Sequence, residues 1–236
     1  MVDIRGILPV SLIEWPGKIS SVVFTGGCNL RCPFCHNKDL VIGLEQTDKI
    51  SEDELLDKIR DKKDWIDAVC FTGGEPTLNR DLPELFQKIK EINLSDGKLG
   101  IMIETNGTNP EMLANLIQNK LVDFLAMDVK APFDQYQNLL KCPENLIGKI
   151  SESVKIITRS GLEYEFRITV APDVVLLENI EKIGEQIKGA EKVVLQQFRP
   201  LIALDPAWEK KKPYDDKILE MMKKSLQGFV EEVEIR

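Results

Sequence analysis

The sequence of 236 residues lacks three features that would place it in other classes of protein. No apolar run is long enough to cross a bilayer, so a membrane partner is not expected. The chain also lacks an excess of positive charge, and its net charge of −8 argues against a nucleic-acid partner. Residues Met1–Arg5 lack the basic-then-apolar pattern of a signal peptide, so we expect a cytoplasmic protein whose thiols are reduced.

Histidine and cysteine are also scarce, with one histidine and five cysteines in the chain. Three of those cysteines nevertheless fall close together, because Cys28, Cys32 and Cys35 follow a C-x3-C-x2-C spacing. The odd number of cysteines and the reducing compartment argue against disulfides. Iron–sulfur clusters usually take four protein ligands, so three thiolates on a 4Fe–4S cluster would leave one iron open to bind a small molecule.

A structural zinc site is the alternative interpretation of this triplet, and it needs a fourth ligand. The only histidine, His36, directly follows Cys35, so its side chain would point away from an ion that Cys35 binds. The other two cysteines, Cys70 and Cys142, lie far away in the sequence. The pattern therefore favours an iron–sulfur cluster with an open iron over zinc.

Short apolar runs alternate with amphipathic stretches, which predicts an α/β fold with a parallel sheet. Strands are predicted over 21–25, 68–72, 99–104, 122–129, 164–170 and 193–198, with an edge strand over 230–235. Helices are predicted over 51–60, 81–92, 111–119, 147–160, 179–188 and 214–226. Six strand–helix units are fewer than the eight of a closed barrel, so we expect an open partial (β/α)6 barrel. We expect one domain, 1–236, with a loop at 26–37 and a C-terminal extension at about 200–236.

Polar residues follow the predicted strands, at the edge where parallel α/β folds bind ligands. Gly73-Gly74-Glu75 comes after the second strand, where the glycines would let the backbone approach a ligand closely and Glu75 adds a carboxylate. Thr105 and Asn106 come after the third strand and supply hydrogen-bond donors and acceptors. These strand ends are candidates for one polar cavity.

Charged residues near the later strands extend this prediction. Asp128 and Lys130 point to the same side of the fourth strand, where they would reach a zwitterionic ligand or simply pair at the surface. Arg167 in the fifth strand needs an anionic partner if it is buried. Gln196 places a polar group in the sixth strand. The combined pattern predicts a cavity for a zwitterionic amino acid attached to a larger group.

Two motifs, in this order, resemble the radical S-adenosylmethionine superfamily: the cysteine triplet with Phe34 before its last member, and Gly-Gly-Glu-Pro after the second strand. The resemblance implies a 4Fe–4S cluster on Cys28, Cys32 and Cys35, and reductive cleavage of S-adenosylmethionine at that cluster. These cofactors carry the chemistry, so no catalytic side chain is expected beyond them.

The resemblance also implies contacts between the remaining site residues and S-adenosylmethionine. It assigns them as follows: Gly73, Gly74 and Glu75 to the methionine amino group, Thr105 and Asn106 to the ribose, Asp128, Lys130 and Arg167 to polar groups of the ligand, and Phe34 and Gln196 to the adenine.

A narrower resemblance is to the glycyl-radical-enzyme activases, in which the motif continues as Cys35-His36-Asn37, and it adds His36 to the cofactor-binding residues. Segments 8–18 and 197–206 look most similar to activases of anaerobic ribonucleoside-triphosphate reductase. This resemblance implies a glycyl radical enzyme as protein substrate and flavodoxin or ferredoxin as reductant. Trp15 would either anchor that partner or cover the edge of the barrel.

Two other functions stay open. Residues 104–107 are similar to a motif of 7-carboxy-7-deazaguanine synthase, a radical enzyme that acts on a small molecule, although that family often lengthens the first cysteine gap. An electron-transfer iron–sulfur protein is the non-enzymatic alternative. It would need a fourth cysteine to close the cluster, and none is placed to serve.

Overall fold

The computed structural model describes residues 1–94 and 97–236. Two compact units make up this part of the chain. The first unit comprises residues 1–28, 39–105 and 111–125, and the second comprises 29–38, 106–110 and 126–236. The expectation of one domain stays a prediction.

Within the described residues, strands and helices alternate along most of the chain. The strands are β1 Ile4–Ser11, β2 Ser20–Thr25, β3 Ala68–Gly73, β4 Asn93–Leu94, β5 Gly97–Lys98, β6 Gly100–Thr105, β7 Phe124–Asp128, β8 Glu163–Val170, β9 Lys192–Gln197 and β10 Glu232–Ile235. The α-helices are α1 Lys38–Ile42, α2 Glu52–Lys62, α3 Leu82–Lys90, α4 Pro110–Gln118, α5 Tyr136–Leu140, α6 Glu144–Thr158, α7 Ile180–Gln186 and α8 Asp216–Leu226. Short 3-10 helices cover Leu44–Gln46, Pro76–Leu78, Phe133–Gln135 and Pro206–Lys210. No helix of residues 1–94 and 97–236 has both the length and the apolar character needed to span a membrane.

The sheet of the first unit is built on β2, which pairs antiparallel with β1 and parallel with β3. Strand β6 pairs parallel with β3, and the Asp123 N–H donates to the Ile101 carbonyl where β7 begins beside β6. Helix α2 starts as the sequence predicts, because the Ser51 hydroxyl accepts from the Glu54 N–H at 3.1 Å. The core of this unit contains fully buried apolar side chains from β2, α2, β3 and β6, among them Val22, Leu55, Phe71 and Ile101.

The second unit continues with parallel strands, since β9 pairs parallel with both β8 and β10. The Val129 N–H donates to the Arg167 carbonyl beside the end of β7. The strand order is β1-β2-β3-β6-β7-β8-β9-β10, and in the described residues β10 does not return to pair with β1. The expectation of an α/β fold with an open, mostly parallel sheet of the partial-barrel type is confirmed.

Strand β1 is the principal element that the sequence prediction missed. Its pairing with β2 is irregular, with register shifts between Ile4 and Gly6 and between Leu8 and Ser11. Gly6 and Pro9 interrupt the apolar pattern that marks a strand, and Pro9 has no N–H to donate. A strand at the edge of a sheet tolerates both residues, which is why the local sequence does not resemble the central strands.

The side chain of Trp15 lies inside the first unit. It is 7% exposed, and its ring centroid lies 5.2 Å from that of Phe124. A Cβ on Gly100 would lie 3.0 Å from the Trp15 ring, so this glycine leaves the space that the indole fills. The expectation that Trp15 anchors a partner is therefore wrong, whereas the alternative, that it covers the sheet, agrees with this packing. The exposed large apolar residues of segment 8–18 are instead Leu8, Val10, Leu12 and Ile13.

We predict that Trp15→Ala lowers the free energy of unfolding by about 3–5 kcal/mol, because it removes a buried indole and leaves a cavity. Urea denaturation followed by circular dichroism measures this change. The matched control is Trp65→Ala, because Trp65 is 74% exposed and its loss should change stability by less than about 0.5 kcal/mol. Equal stability of the two variants would contradict the buried role of Trp15.

Candidate functional site

The three cysteines of the triplet lie in the loop that follows β2, and none of them belongs to a disulfide in the part of the chain that the structure describes. Cys32 is buried, while Cys28 and Cys35 are partly exposed. Cys70 and Cys142 also belong to no disulfide within the described residues, and both side chains are buried. Within residues 1–94 and 97–236, no three His, Cys, Asp or Glu side chains are grouped so that they could hold a metal ion.

Gly74 brings the end of β3 into contact with the backbone just before Cys28. The Gly74 N–H donates to the Thr25 carbonyl, and the Glu75 N–H donates to the Gly27 carbonyl, both at 2.8 Å. A Cβ on Gly74 would lie 1.9 Å from the Gly27 oxygen, so no other residue type fits without moving the backbone. Gly74 therefore makes a close contact with the start of the loop that carries the cysteines, while its expected approach to a ligand stays a prediction.

The Glu75 carboxylate is buried and hydrogen-bonded. Its Oε1 accepts from the Thr77 N–H at 3.1 Å, the Thr77 hydroxyl at 2.6 Å and the Thr105 hydroxyl at 2.7 Å. Glu75 thus caps the short helix Pro76–Leu78 and joins the ends of β3 and β6. Gly73 precedes it with φ of +110°, a conformation that favours glycine, and a Cβ there would lie 2.6 Å from the Thr25 backbone.

In the second unit, Asn106 is bonded to the cysteine loop. Its Nδ2 donates to the Asn29 Oδ1 at 3.0 Å, and the Asn29 Nδ2 donates to the Thr108 hydroxyl at 2.8 Å. The Thr108 hydroxyl in turn donates to the Asn106 Oδ1 at 2.7 Å. These three side chains form a closed ring of hydrogen bonds that fixes the residue following Cys28.

Lys130 supplies positive charge beside two thiols of the loop. Its ammonium lies 2.8 Å from the Asp128 carboxylate, so the pair expected from the sequence forms. Burial opposes the charge of Lys130, but Asp128 and the charges of Cys32 and Cys35 outweigh it, and the pKa of Lys130 is raised. Burial raises the pKa of the Cys35 thiol, while the Asn37 N–H and the Lys130 charge act to lower it. The surroundings of Cys32 and Cys35 therefore include a cation that favours thiolates, the form that binds metals.

Arg167 has the anionic partner that its burial requires. Its Nε donates to the Glu165 Oε1 at 2.6 Å, and Glu165 is fully buried. The Arg236 guanidinium donates to both oxygens of the same carboxylate at 3.1 Å. The expectation of an anionic partner is confirmed, but Glu165 itself was missed. Its position two residues before Arg167, on the same side of a strand, was the available signal.

Three further residues that the sequence predicts to bind the cofactor belong to the second unit. Phe34 is 6% exposed and packs against Trp208, with ring centroids 5.7 Å apart. The His36 Nε2 lies 2.8 Å from the Arg199 carbonyl oxygen. Gln196 is half-buried in β9, where it aligns with Thr169 of β8. Phe34 and His36 therefore contact the segment that follows β9.

We predict that Gly74→Ala destabilises the protein by more than about 2 kcal/mol, because the added Cβ forces the Gly27 and Gly74 backbones apart. Thermal unfolding followed by circular dichroism checks this. The matched control is Gly148→Ala in α6, where a Cβ would meet no atom within 4 Å and should stabilise the helix by up to about 1 kcal/mol. A fully stable Gly74→Ala variant would contradict the close backbone contact.

Comparison with known proteins identifies the family of this chain. Residues 22–188 match the model of the family described as the radical SAM superfamily. The chain is 34% identical to a protein of Methanocaldococcus jannaschii named a glycyl-radical enzyme activating enzyme, over 99% of this chain and 95% of that protein. It is 28% identical to the pyruvate formate-lyase-activating enzyme of Clostridium pasteurianum, over 85% of this chain and 84% of that enzyme.

A solved structure with the same fold is that of SuiB from Streptococcus suis bound to the precursor peptide SuiA, with a TM-score of 0.64. The two chains are 16% identical, and the match covers 91% of this chain and 48% of SuiB, so this likeness concerns the fold alone. The family match, together with the full-length similarity to the Methanocaldococcus protein, confirms the expected cofactors of the superfamily, a 4Fe–4S cluster and S-adenosylmethionine. The chain belongs to the radical SAM superfamily and is an enzyme of that type.

Proposed function

We propose that this enzyme is an activase that removes a hydrogen atom from a backbone glycine of a partner enzyme and leaves a glycyl radical there. One observation carries the proposal: a protein named as such an activating enzyme matches this chain over nearly the whole length of both. A second activating enzyme, that of pyruvate formate-lyase, also matches most of the chain.

In this proposal Cys28, Cys32 and Cys35 hold the cluster. The three thiols belong to one loop, and the Lys130 charge interacts with two of them, so the chemistry of this donor set suits iron bound by thiolates. When bound, the cluster supplies the electron that cleaves the sulfonium of S-adenosylmethionine. The backbone contact at Gly74 and the Asn106 ring of hydrogen bonds support this loop on either side of Cys28.

The remaining site residues would bind and orient S-adenosylmethionine. Asp128 and Lys130 carry the two charges that complement the carboxylate and amino groups of its methionine part. Arg167 would add a second cation, held in place by Glu165. We also propose that the other residues assigned by the resemblance contact S-adenosylmethionine: Gly73, Gly74, Glu75, Thr105, Asn106, Phe34, His36 and Gln196.

The balance of the reaction follows from these parts. Bound S-adenosylmethionine would, with one electron, accept a hydrogen atom from the glycine, so that the products would be methionine, 5′-deoxyadenosine and the glycyl radical. The glycine keeps the unpaired electron. The protein's contribution is to hold the two reactants in the right geometry and to exclude side reactions.

The partner that we propose is anaerobic ribonucleoside-triphosphate reductase, with flavodoxin or ferredoxin as the electron donor, in the cytoplasm. The resemblance of segments 8–18 and 197–206 to activases of that reductase supports this choice of partner.

We predict that Cys28→Ala, Cys32→Ala and Cys35→Ala each lose the 4Fe–4S absorption and most of the iron after anaerobic reconstitution. Each variant removes one of three thiolates, and the loop offers no fourth cysteine in their place. Cys70→Ala and Cys142→Ala are matched controls that should keep the wild-type iron content, because both residues are buried and outside the loop. Loss of iron in either control would contradict the three-ligand assignment.

The activase proposal is tested by electron paramagnetic resonance after the reduced enzyme is incubated with S-adenosylmethionine and purified partner. We expect a glycyl doublet on anaerobic ribonucleoside-triphosphate reductase, and none when Cys28→Ala replaces the wild-type enzyme. Purified pyruvate formate-lyase is the comparison partner. A doublet on pyruvate formate-lyase alone would support the activase function but contradict the proposed partner. Turnover of a small molecule such as a pterin, with no doublet on either protein, would overturn the activase itself.

A further inference from the structure

The segment Phe198–Lys211, which follows β9, packs onto the cysteine loop within the second unit. The Asp205 N–H donates to the Pro33 carbonyl at 2.9 Å. The His36 Nε2 lies 2.8 Å from the Arg199 carbonyl oxygen. The segment therefore contacts the loop on both sides of its last cysteine.

Trp208 lies at the centre of this contact. Its ring centroid is 5.7 Å from that of Phe34 and 5.9 Å from that of Phe198. All three side chains are buried, with exposed fractions of 7% for Trp208, 6% for Phe34 and 1% for Phe198. Because Phe34 lies between Cys32 and Cys35 in the sequence, the indole covers the part of the loop that carries two of the three thiols.

The segment also has anchors of its own that do not involve the cysteine loop. The Asp205 Oδ1 accepts from the Ala207 N–H at 2.9 Å and caps the short helix Pro206–Lys210. The Lys211 ammonium lies 4.8 Å from the centroid of the Trp208 ring and forms an ion pair with Asp173 in the loop after β8. Trp208 is thus presented to the loop by contacts that involve none of the three thiols.

We propose that Trp208 is a positioning residue that keeps the Cys32 and Cys35 part of the loop closed, both before and after the cluster binds. The proposal rests on the cluster ligands of the proposed function. A cluster with three protein ligands is restrained less than one with four. Contacts with other parts of the protein must therefore keep the loop ordered. A loop that is already ordered loses less conformational entropy when it binds metal, and a covered cluster exchanges less with solvent.

The first test uses the metal-free protein and needs no activity. A short pulse of iodoacetamide followed by mass spectrometry gives the modification rate of Cys32, which is 7% exposed. Trp208→Ala should raise this rate on the order of tenfold, because local opening of the loop becomes more populated. Trp208→Phe should restore most of the protection, and Trp65→Ala, the matched control at an exposed position, should leave the rate unchanged.

The second measurement is the rate at which a chelator removes iron from the loaded protein under anaerobic conditions. The same order is expected, with fastest release in Trp208→Ala, partial rescue in Trp208→Phe and no change in Trp65→Ala. Lys211→Gln is a milder variant that removes the cation over the indole and the ion pair with Asp173, and it should raise Cys32 modification about threefold.

A wild-type rate of Cys32 modification in folded Trp208→Ala overturns the proposal. Where circular dichroism shows that Trp208→Ala does not fold, a wild-type rate in Lys211→Gln overturns it instead. No partner enzyme enters either measurement, so a missing glycyl radical would count against the activase alone. Full cluster retention by Cys32→Ala would count against the ligand assignment, not against the protection of the metal-free loop.

Discussion

The contact between the backbones at Gly27 and Gly74 is the constraint on which the site depends. Two hydrogen bonds of 2.8 Å hold the end of β3 against the end of β2, at a separation that no Cβ permits. The next residue along the chain is Cys28, so the first thiol of the triplet starts from a fixed point. A glycine pair often lets a backbone approach a ligand, and here Gly74 also lets two strand ends approach each other.

Charge is distributed in the second unit so that buried cations have local partners. Lys130 pairs with Asp128, and Arg167 shares the fully buried Glu165 with Arg236. Breaking such a pair by removing one partner costs far more than the pair itself contributes to stability. The positions of these cations are therefore fixed by partners in the protein itself.

The sequence predicts the central strands, most of the helices and the identity of the cysteine triplet, because each of these has a local signal. Helix α2 has its Ser51 cap, and β3 is a short apolar run followed by two glycines. Strand β1 could not be predicted in this way, because Gly6 and Pro9 disfavour a strand and only the pairing with β2 stabilises one there.

The contact of Trp208 with Phe34 could not be predicted for a similar reason. The two residues are 174 positions apart in the chain, and no periodic pattern links them. The contact made by Gly74 also could not be predicted from the sequence, because its neighbour Gly27 lies in the loop after a different strand.

The irregular edge strand β1 has a consequence for how the protein behaves at high concentration. Leu8 and Val10 are 44% and 46% exposed at the edge of the sheet, a position where another chain could add a strand. Pro9 between them offers no N–H, and the register shift that follows Leu8 breaks the regular ladder that such an addition would copy. The strand can therefore expose apolar side chains while its backbone resists the edge-to-edge pairing that leads to aggregation.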